Sequence, residues 1–168
     1  MSAPAERTAG GRSGSIRSRT VILSGAALLA ATDLASKWVA EKTLTVGESM
    51  GNGPVDIRLF YNTGVAFSLG ADLPPWTVAT ATGLIIVVLA GFLLASAPTM
   101  TGLARVGAAL LLGGALGNFV DRLDGRGVVD FLHSGWFPTF NLADVFVTVG
   151  AALLVLGAFR GPGEEDPG

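Results

Sequence analysis

Cysteine is absent from the 168 residues, and histidine occurs once, at His133. The first absence excludes a thiol nucleophile, a thiolate metal site and a disulfide framework. The second excludes multi-histidine zinc sites and H-E-x-x-H chemistry. A histidine-assisted serine triad would rest on His133 alone, and no G-x-S-x-G elbow is present. Charge is scarce as well, at 14% of residues against roughly a quarter in an ordinary soluble domain. No basic patch with interleaved aromatics appears, so nucleic acid is not an expected partner. A purely carboxylate metal site stays open but has no support in the sequence. Hydrolytic chemistry in this chain would have to use carboxylates.

What is present is apolar. Half of the residues are hydrophobic, and the mean hydropathy is +0.58, the composition of a membrane protein. Trp76 to Ala95 runs 20 residues without a charge, enough to cross a hydrocarbon layer of about 30 Å at about 1.5 Å per residue. Three more apolar segments cover residues 20–40, 103–123 and 142–159. The expected fold is an all-α membrane protein, with four transmembrane helices in one domain over residues 20–160. Residues 1–19, with Arg7, Arg12, Arg17 and Arg19, read as a disordered basic N-terminus. Residues 161–168 read as an acidic disordered tail. A secretory signal peptide over the first segment is disfavoured, because the apolar character resumes past Asp33 through Ala40.

Between the first two spans, residues 43–75 are polar and punctuated by Gly, Asn and Pro. Val55 to Leu59 alternates with period two, which predicts a half-buried strand. Asn62-Thr63-Gly64 supplies a turn, and Val65 to Phe67 is expected to return as a second strand. The result is a small extracytoplasmic sheet or hairpin at the membrane surface.

Arginines before the first span hold the N-terminus in the cytoplasm, and four crossings return the C-terminus to the same side. Trp38, Trp76 and Trp136 then fall at the outer boundary, where an aromatic belt belongs. Asp33, Asp121, Asp130 and Asp144, though far apart in the chain, reach one membrane depth. Carboxylates at the edges of apolar spans are costly and are functional candidates by default.

Each candidate also has a plain structural explanation. Asp144 follows Asn141 by three residues, as a helix N-cap and its dipole-favoured acid would. Asp130 sits in a short apolar strand between Val129 and Phe131, where a charge needs a reason. Asn118, Asp121 and Arg122 share one helical face, and Asp121 with Arg122 could be interfacial snorkelling. Asp33 and Lys37 are spaced to pair with each other on a helix. Asn62 could be a turn residue, Gly113 and Gly117 a close-packing pair, and His133 an exposed loop side chain.

Two carboxylates about 4 Å apart repel by about 4 kcal/mol at an effective dielectric near 20, or about 3 pKa units. Asp130 and Asp144, placed so, would share one proton and titrate as a pair. One would take a proton from an attacking water, and the other would polarise a carbonyl and protonate a leaving amine. Arg122, Asn118, Asn62 or Asn141 could hold the oxyanion or a peptide backbone. Which aspartate carries the proton stays open at this point.

Five blocks together resemble the bacterial signal peptidase II family: Asp33-Leu34-Ala35-Ser36-Lys37; Asn62-Thr63-Gly64-Val65-Ala66-Phe67-Ser68; Gly117-Asn118-Phe119-Val120-Asp121-Arg122; Val128-Val129-Asp130-Phe131; and Phe140-Asn141-Leu142-Ala143-Asp144. The resemblance implies an aspartic endopeptidase of the inner membrane that cleaves prolipoproteins just before a diacylglyceryl-modified cysteine. It implies Asp130 and Asp144 as the catalytic pair. Asn62, Asn118, Arg122 and Asn141 would support the site and contact substrate, with Asp33, Lys37, Gly64 and Asp121 in the same supporting set. The implied partners are a diacylglyceryl-prolipoprotein and membrane lipid, no cofactor is implied, and the chain is expected to act as a monomer. Two rivals remain: a small transporter or proton-relay subunit, which would spread carboxylates through the membrane depth, and a non-catalytic assembly factor, which would need no polar motifs.

Overall fold

The structure, a computed structural model, describes residues 7–51, 55–64 and 73–160, with side chains from residue 14 onward. Helix α1 (Arg7–Thr43) leads into strands β1 (Ser49–Met50) and β2 (Asp56–Asn62). Helix α2 (Pro75–Ser96), a 3-10 turn (Ala97–Thr99) and helix α3 (Gly102–Arg122) follow. Strand β3 (Val128–His133) and helix α4 (Leu142–Phe159) complete the chain. The fold is the expected one, four candidate membrane helices with a small antiparallel sheet.

Two local expectations are corrected. The expected disorder of residues 1–19 is replaced by helix over residues 7–19, and residues 1–6 lie outside the described residues. No proline interrupts residues 5–53, so a helix nucleated in the apolar segment extends backward without a new nucleation cost. His133, read as a loop side chain, ends strand β3, where its Nδ1 lies 3.3 Å from Thr139 Oγ1. The expected return strand at 65–67 and the tail at 161–168 lie outside the described residues.

Helix α3 is the hub and packs against α1, α2 and α4. Small residues permit this. A Cβ on Gly107 would stand 2.6 Å from the Leu154 backbone nitrogen in α4. One on Gly113 would stand 2.7 Å from Leu29 Cβ in α1. Close backbone approach stabilises helix pairs in lipid, where burying apolar side chains gains little. A buried cluster of Ile22, Ala26, Leu93, Ala97, Ala108 and Leu112 joins α1, α2 and α3. The outward face of α2 carries Leu84, Ile85, Val87, Val88 and Phe92, all exposed. That many bare aliphatics on one helix suit hydrocarbon and not water.

The sheet has the order β1-β2-β3, and β2 pairs antiparallel with both neighbours. Its register sets Asn62 opposite Val128 and Phe60 opposite Asp130. Asn62 is therefore one diagonal step from Asp130. Gly127, at φ +98°, begins this crossing, and a Cβ there would stand 2.7 Å from the Asn62 carbonyl oxygen. The end of α1 and the end of α3 pack against β3, and the N-cap of α4 reaches Asp130, all at one end of the bundle. Trp38, Trp76 and Trp136 lie exposed at that end.

Candidate active site

The corner between β3 and α4 builds the centre of the site. Phe140 folds back on β3: its N–H donates to Leu132 O at 3.0 Å, and its carbonyl accepts from Leu132 N at 2.8 Å. This clip sets the next residue, Asn141, beside Asp130. Asn141 caps α4 with its side-chain oxygen accepting from Asp144 N at 3.0 Å. The Asp144 carboxylate accepts from Asn141 N at 3.1 Å, which closes a reciprocal capping box. So the structural role expected for Asn141 and Asp144 is real, and it leaves other donors and acceptors free.

Those free groups tie the two aspartates together. Asn141 Nδ2 donates to Asp130 Oδ1 at 2.7 Å and to Asn118 Oδ1 at 3.0 Å. Asn118 Nδ2 donates to Asp144 Oδ1 at 2.8 Å. From β2, Asn62 Nδ2 approaches Asp130 Oδ2 at 3.3 Å, while its own oxygen accepts from Gly64 N at 3.1 Å in the expected turn. Arg122 donates to Asn118 O at 2.8 Å and to Gly64 O at 3.0 Å, which ties the segment after β2 to the end of α3.

Asp130, Asp144, Asn62, Asn118 and Arg122 all line one cleft of about 610 Å³. Its other wall is apolar, formed by Phe137, Pro138, Phe140, Val145 and Val149 among others. The resemblance gives the His133–Trp136 region no part in the site. The signal available was the aromatic-proline run Trp136-Phe137-Pro138, placed directly before the N-cap of the fourth span.

A second group lies behind the cleft. Asp33 and Asn141 are fully buried, and Lys37 is 2% exposed. Lys37 Nζ contacts Asp33 Oδ2 at 2.6 Å, Asp121 Oδ2 at 2.8 Å and Asn118 Oδ1 at 2.8 Å. Asp33 Oδ1 accepts from Ala143 N at 2.8 Å, so α1 satisfies an otherwise orphaned donor in the first turn of α4. Asp121 accepts from Val129 N at 3.2 Å and so fixes β3 against α3. Asp33, Lys37 and Asp121 thus support the cleft from outside it.

The surroundings of Asp130 disfavour its charge. Asp130 is 2% exposed and follows the buried Val128 and Val129. Burial first, then the charge of Asp144, pushes its pKa up to about 7, while hydrogen bonds from Asn62 and Asn141 pull the other way. A carboxylic acid poised near neutrality, beside a second carboxylate in a cleft, can pass protons in both directions. Among the described residues no cluster of three or more His, Asp or Glu could hold a metal ion.

Comparison with known proteins gives a consistent result. Residues 25–160 match the family described as signal peptidase (SPase) II. A lipoprotein signal peptidase of Ectopseudomonas mendocina is 38% identical over 142 residues, which cover 79% of this chain and 84% of that protein. One from Pseudomonas putida is 43% identical over 117 residues, 65% of this chain and 68% of that protein. A solved bacterial membrane enzyme superimposes with a TM-score of 0.73 at 27% identity, covering 89% of this chain and 93% of that one. A second does so at 0.70 and 29%, covering 84% and 93%.

Proposed function

The chain belongs to the signal peptidase II family, and from that premise we propose that it is an aspartic peptidase. It removes the signal peptide of a diacylglyceryl-modified prolipoprotein by cutting just before the lipidated cysteine, with Asp130 and Asp144 as its acid–base pair. The observation that carries this reading is that both carboxylates face one cleft and are joined through Asn141.

Asp130 holds the shared proton, because its surroundings disfavour the charge. Asp144, which accepts from Asn118 Nδ2 and Asn141 N, is the ionised member. A water between them gives its proton to Asp144 as its oxygen attacks the scissile carbonyl. The Asp130 proton moves toward the carbonyl oxygen as negative charge develops there. Collapse of the tetrahedral gem-diol breaks the C–N bond: the proton on Asp144 passes to the amine of the departing cysteine, and one diol hydroxyl returns its proton to Asp130 as the new carboxyl group forms. Arg122 and Asn62, at the edge of the cleft, are placed to hold the substrate backbone.

The expected orientation fits this substrate. Arg17, Arg19, Arg105 and Arg160 lie at the end of the bundle opposite the cleft, as cytoplasmic basic residues should. The described acids, from Asp33 to Asp144, gather at the cleft end. With both termini cytoplasmic, the cleft opens at the outer leaflet, where acyl chains on the substrate cysteine would keep the scissile bond at the depth of the helix ends. The apolar wall of the cleft suits small apolar side chains before the cysteine.

The test is release of signal peptide from a diacylglyceryl-modified prolipoprotein by the purified protein. Asp130→Asn and Asp144→Asn each abolish release while the protein stays folded. Full activity in either variant removes that residue from the pair.

A further inference from the structure

The buried ammonium of Lys37 donates to Asn118 Oδ1 and pairs with the carboxylates of Asp33 and Asp121. Of these residues, Asn118 is the one that lines the cleft. Its carboxamide could in principle face either way, but its neighbours decide. One end receives Lys37 Nζ at 2.8 Å and Asn141 Nδ2 at 3.0 Å, and both of those groups can only donate. That end must be the oxygen. The NH2 is then left to Asp144 Oδ1 at 2.8 Å. Turned over, the amide would set donor against ammonium and oxygen against carboxylate. Asn141 alone would hold the arrangement less firmly, because its Nδ2 also serves Asp130.

We propose that Lys37 is a positioning residue, whose ammonium locks the Asn118 carboxamide so that an N–H is always aimed at Asp144. Lys37 touches no reacting atom. Through Asn118 it keeps Asp144 the proton-accepting partner, and it does so from behind the cleft. This rests on the reading of Asp130 and Asp144 as the acid–base pair. The charged groups that bear on Asp144 are Asp33 and Lys37 from α1, Asp121 and Arg122 from α3, and Asp130 from β3. Asp130 is joined to it through Asn141, and Lys37 through the Asn118 side chain, whose direction the ammonium sets. A purely structural Lys37 would instead only pair with Asp33 along α1 and tie α1 to α3 through Asp121.

The two roles separate in the pH dependence of turnover, measured on the full chain in bilayers with a diacylglyceryl-modified prolipoprotein. Lys37→Met lowers kcat about tenfold or more and changes KM by less than about twofold. It also moves the acid limb of the profile upward by about one pH unit, because Asp144 loses its aimed donor. Asn118→Ala gives the same shift, and adding Lys37→Met to Asn118→Ala moves the limb no further. Lys37→Met leaves two buried carboxylates unpaired, so Lys37→Met/Asp121→Asn is measured beside it. The net charge of Asp33, Lys37 and Asp121 is −1 in the natural chain (two acids, one base), and it is −1 in this double variant. It shows the same shifted limb.

A wild-type limb in both Lys37 variants overturns the proposal, as does a further shift when Lys37→Met is added to Asn118→Ala. Asp130→Asn and Asp144→Asn tell the two readings apart. Activity in either one rejects the acid–base pair itself. Inactivity in both, with an unmoved Lys37→Met profile, rejects only the role of Lys37.

Discussion

Replacing Asp130 with asparagine should make the protein more stable at alkaline pH while destroying its activity. In the fold Asp130 keeps its proton up to about pH 7, whereas an unfolded chain releases it near pH 3.9. Between those values the folded state binds more protons than the unfolded state, so stability falls as pH rises from about 4 to about 7 and is level beyond. The shift of about 3 units corresponds to a cost of about 4 kcal/mol at pH 8. A carboxamide at this position would not ionise, so it would not carry that cost. It would still accept from Asn141 Nδ2, but its own NH2 would face Asn62 Nδ2, where Asp130 Oδ2 now accepts at 3.3 Å. That mismatch costs about 1 kcal/mol. The net expectation is a gain of about 3 kcal/mol at pH 8, or about 6–12 °C in Tm for a chain of this size. At pH 4 the variant should be slightly less stable than the natural protein. Thermal unfolding in a neutral detergent between pH 4 and 8.5, followed by tryptophan fluorescence, reads both limits. A variant less stable at pH 8, or one whose difference from wild type does not change with pH, would refute the reasoning.

Other consequences follow from the packing around the cleft. Gly117→Ala would drive a Cβ into the Asp33 carboxylate. It should cost about 2 kcal/mol in unfolding measurements, whereas Gly91→Ala, with open space around it, changes stability by less than about 1 kcal/mol. Asn141→Ala loses the α4 cap, worth about 1 kcal/mol, and the bridge between the aspartates. Its kcat should fall on the order of 100-fold, a loss larger than stability alone explains. A topology reporter fused after Gly70 should read as extracytoplasmic and one after Met100 as cytoplasmic; the opposite pattern would reverse the proposed orientation.

Much of the architecture was legible in the chain because its signals are local. A charge-free run such as Trp76 to Ala95 can do little but cross a membrane, and Asn141 three residues before Asp144 announces a helix start. The gathering of Asp33, Asp121, Asp130 and Asp144 at one depth followed from counting crossings. What could not be read was any pairing that the chain makes with itself over distance. The strand at β2 was expected from its alternation. Its pairing with Ser49–Met50 and with the short apolar strand at Val128–His133 was not, because antiparallel pairing leaves no mark on either strand alone. Asp33 was expected to pair with Lys37, four residues away on the same helix, and it does. Its second partner, the Ala143 N–H at the start of α4, is a tertiary contact with no sequence signature. The same holds for the apolar wall at Phe137 to Phe140, whose meaning depends on the clip between Phe140 and Leu132.

The central claim is that one proton, held by Asp130 beside an ionised Asp144, runs the reaction. Carboxyl infrared absorption of the purified protein across pH 5 to 9, taken together with the cleavage rate of a diacylglyceryl-modified prolipoprotein over the same range, tests it most directly. The account predicts a buried protonated carboxyl that disappears near pH 7, is missing in Asp130→Asn, and falls on the same curve as activity. A cleavage rate that stays level through pH 7 to 9, or a carboxyl signal that survives in Asp130→Asn, would contradict it.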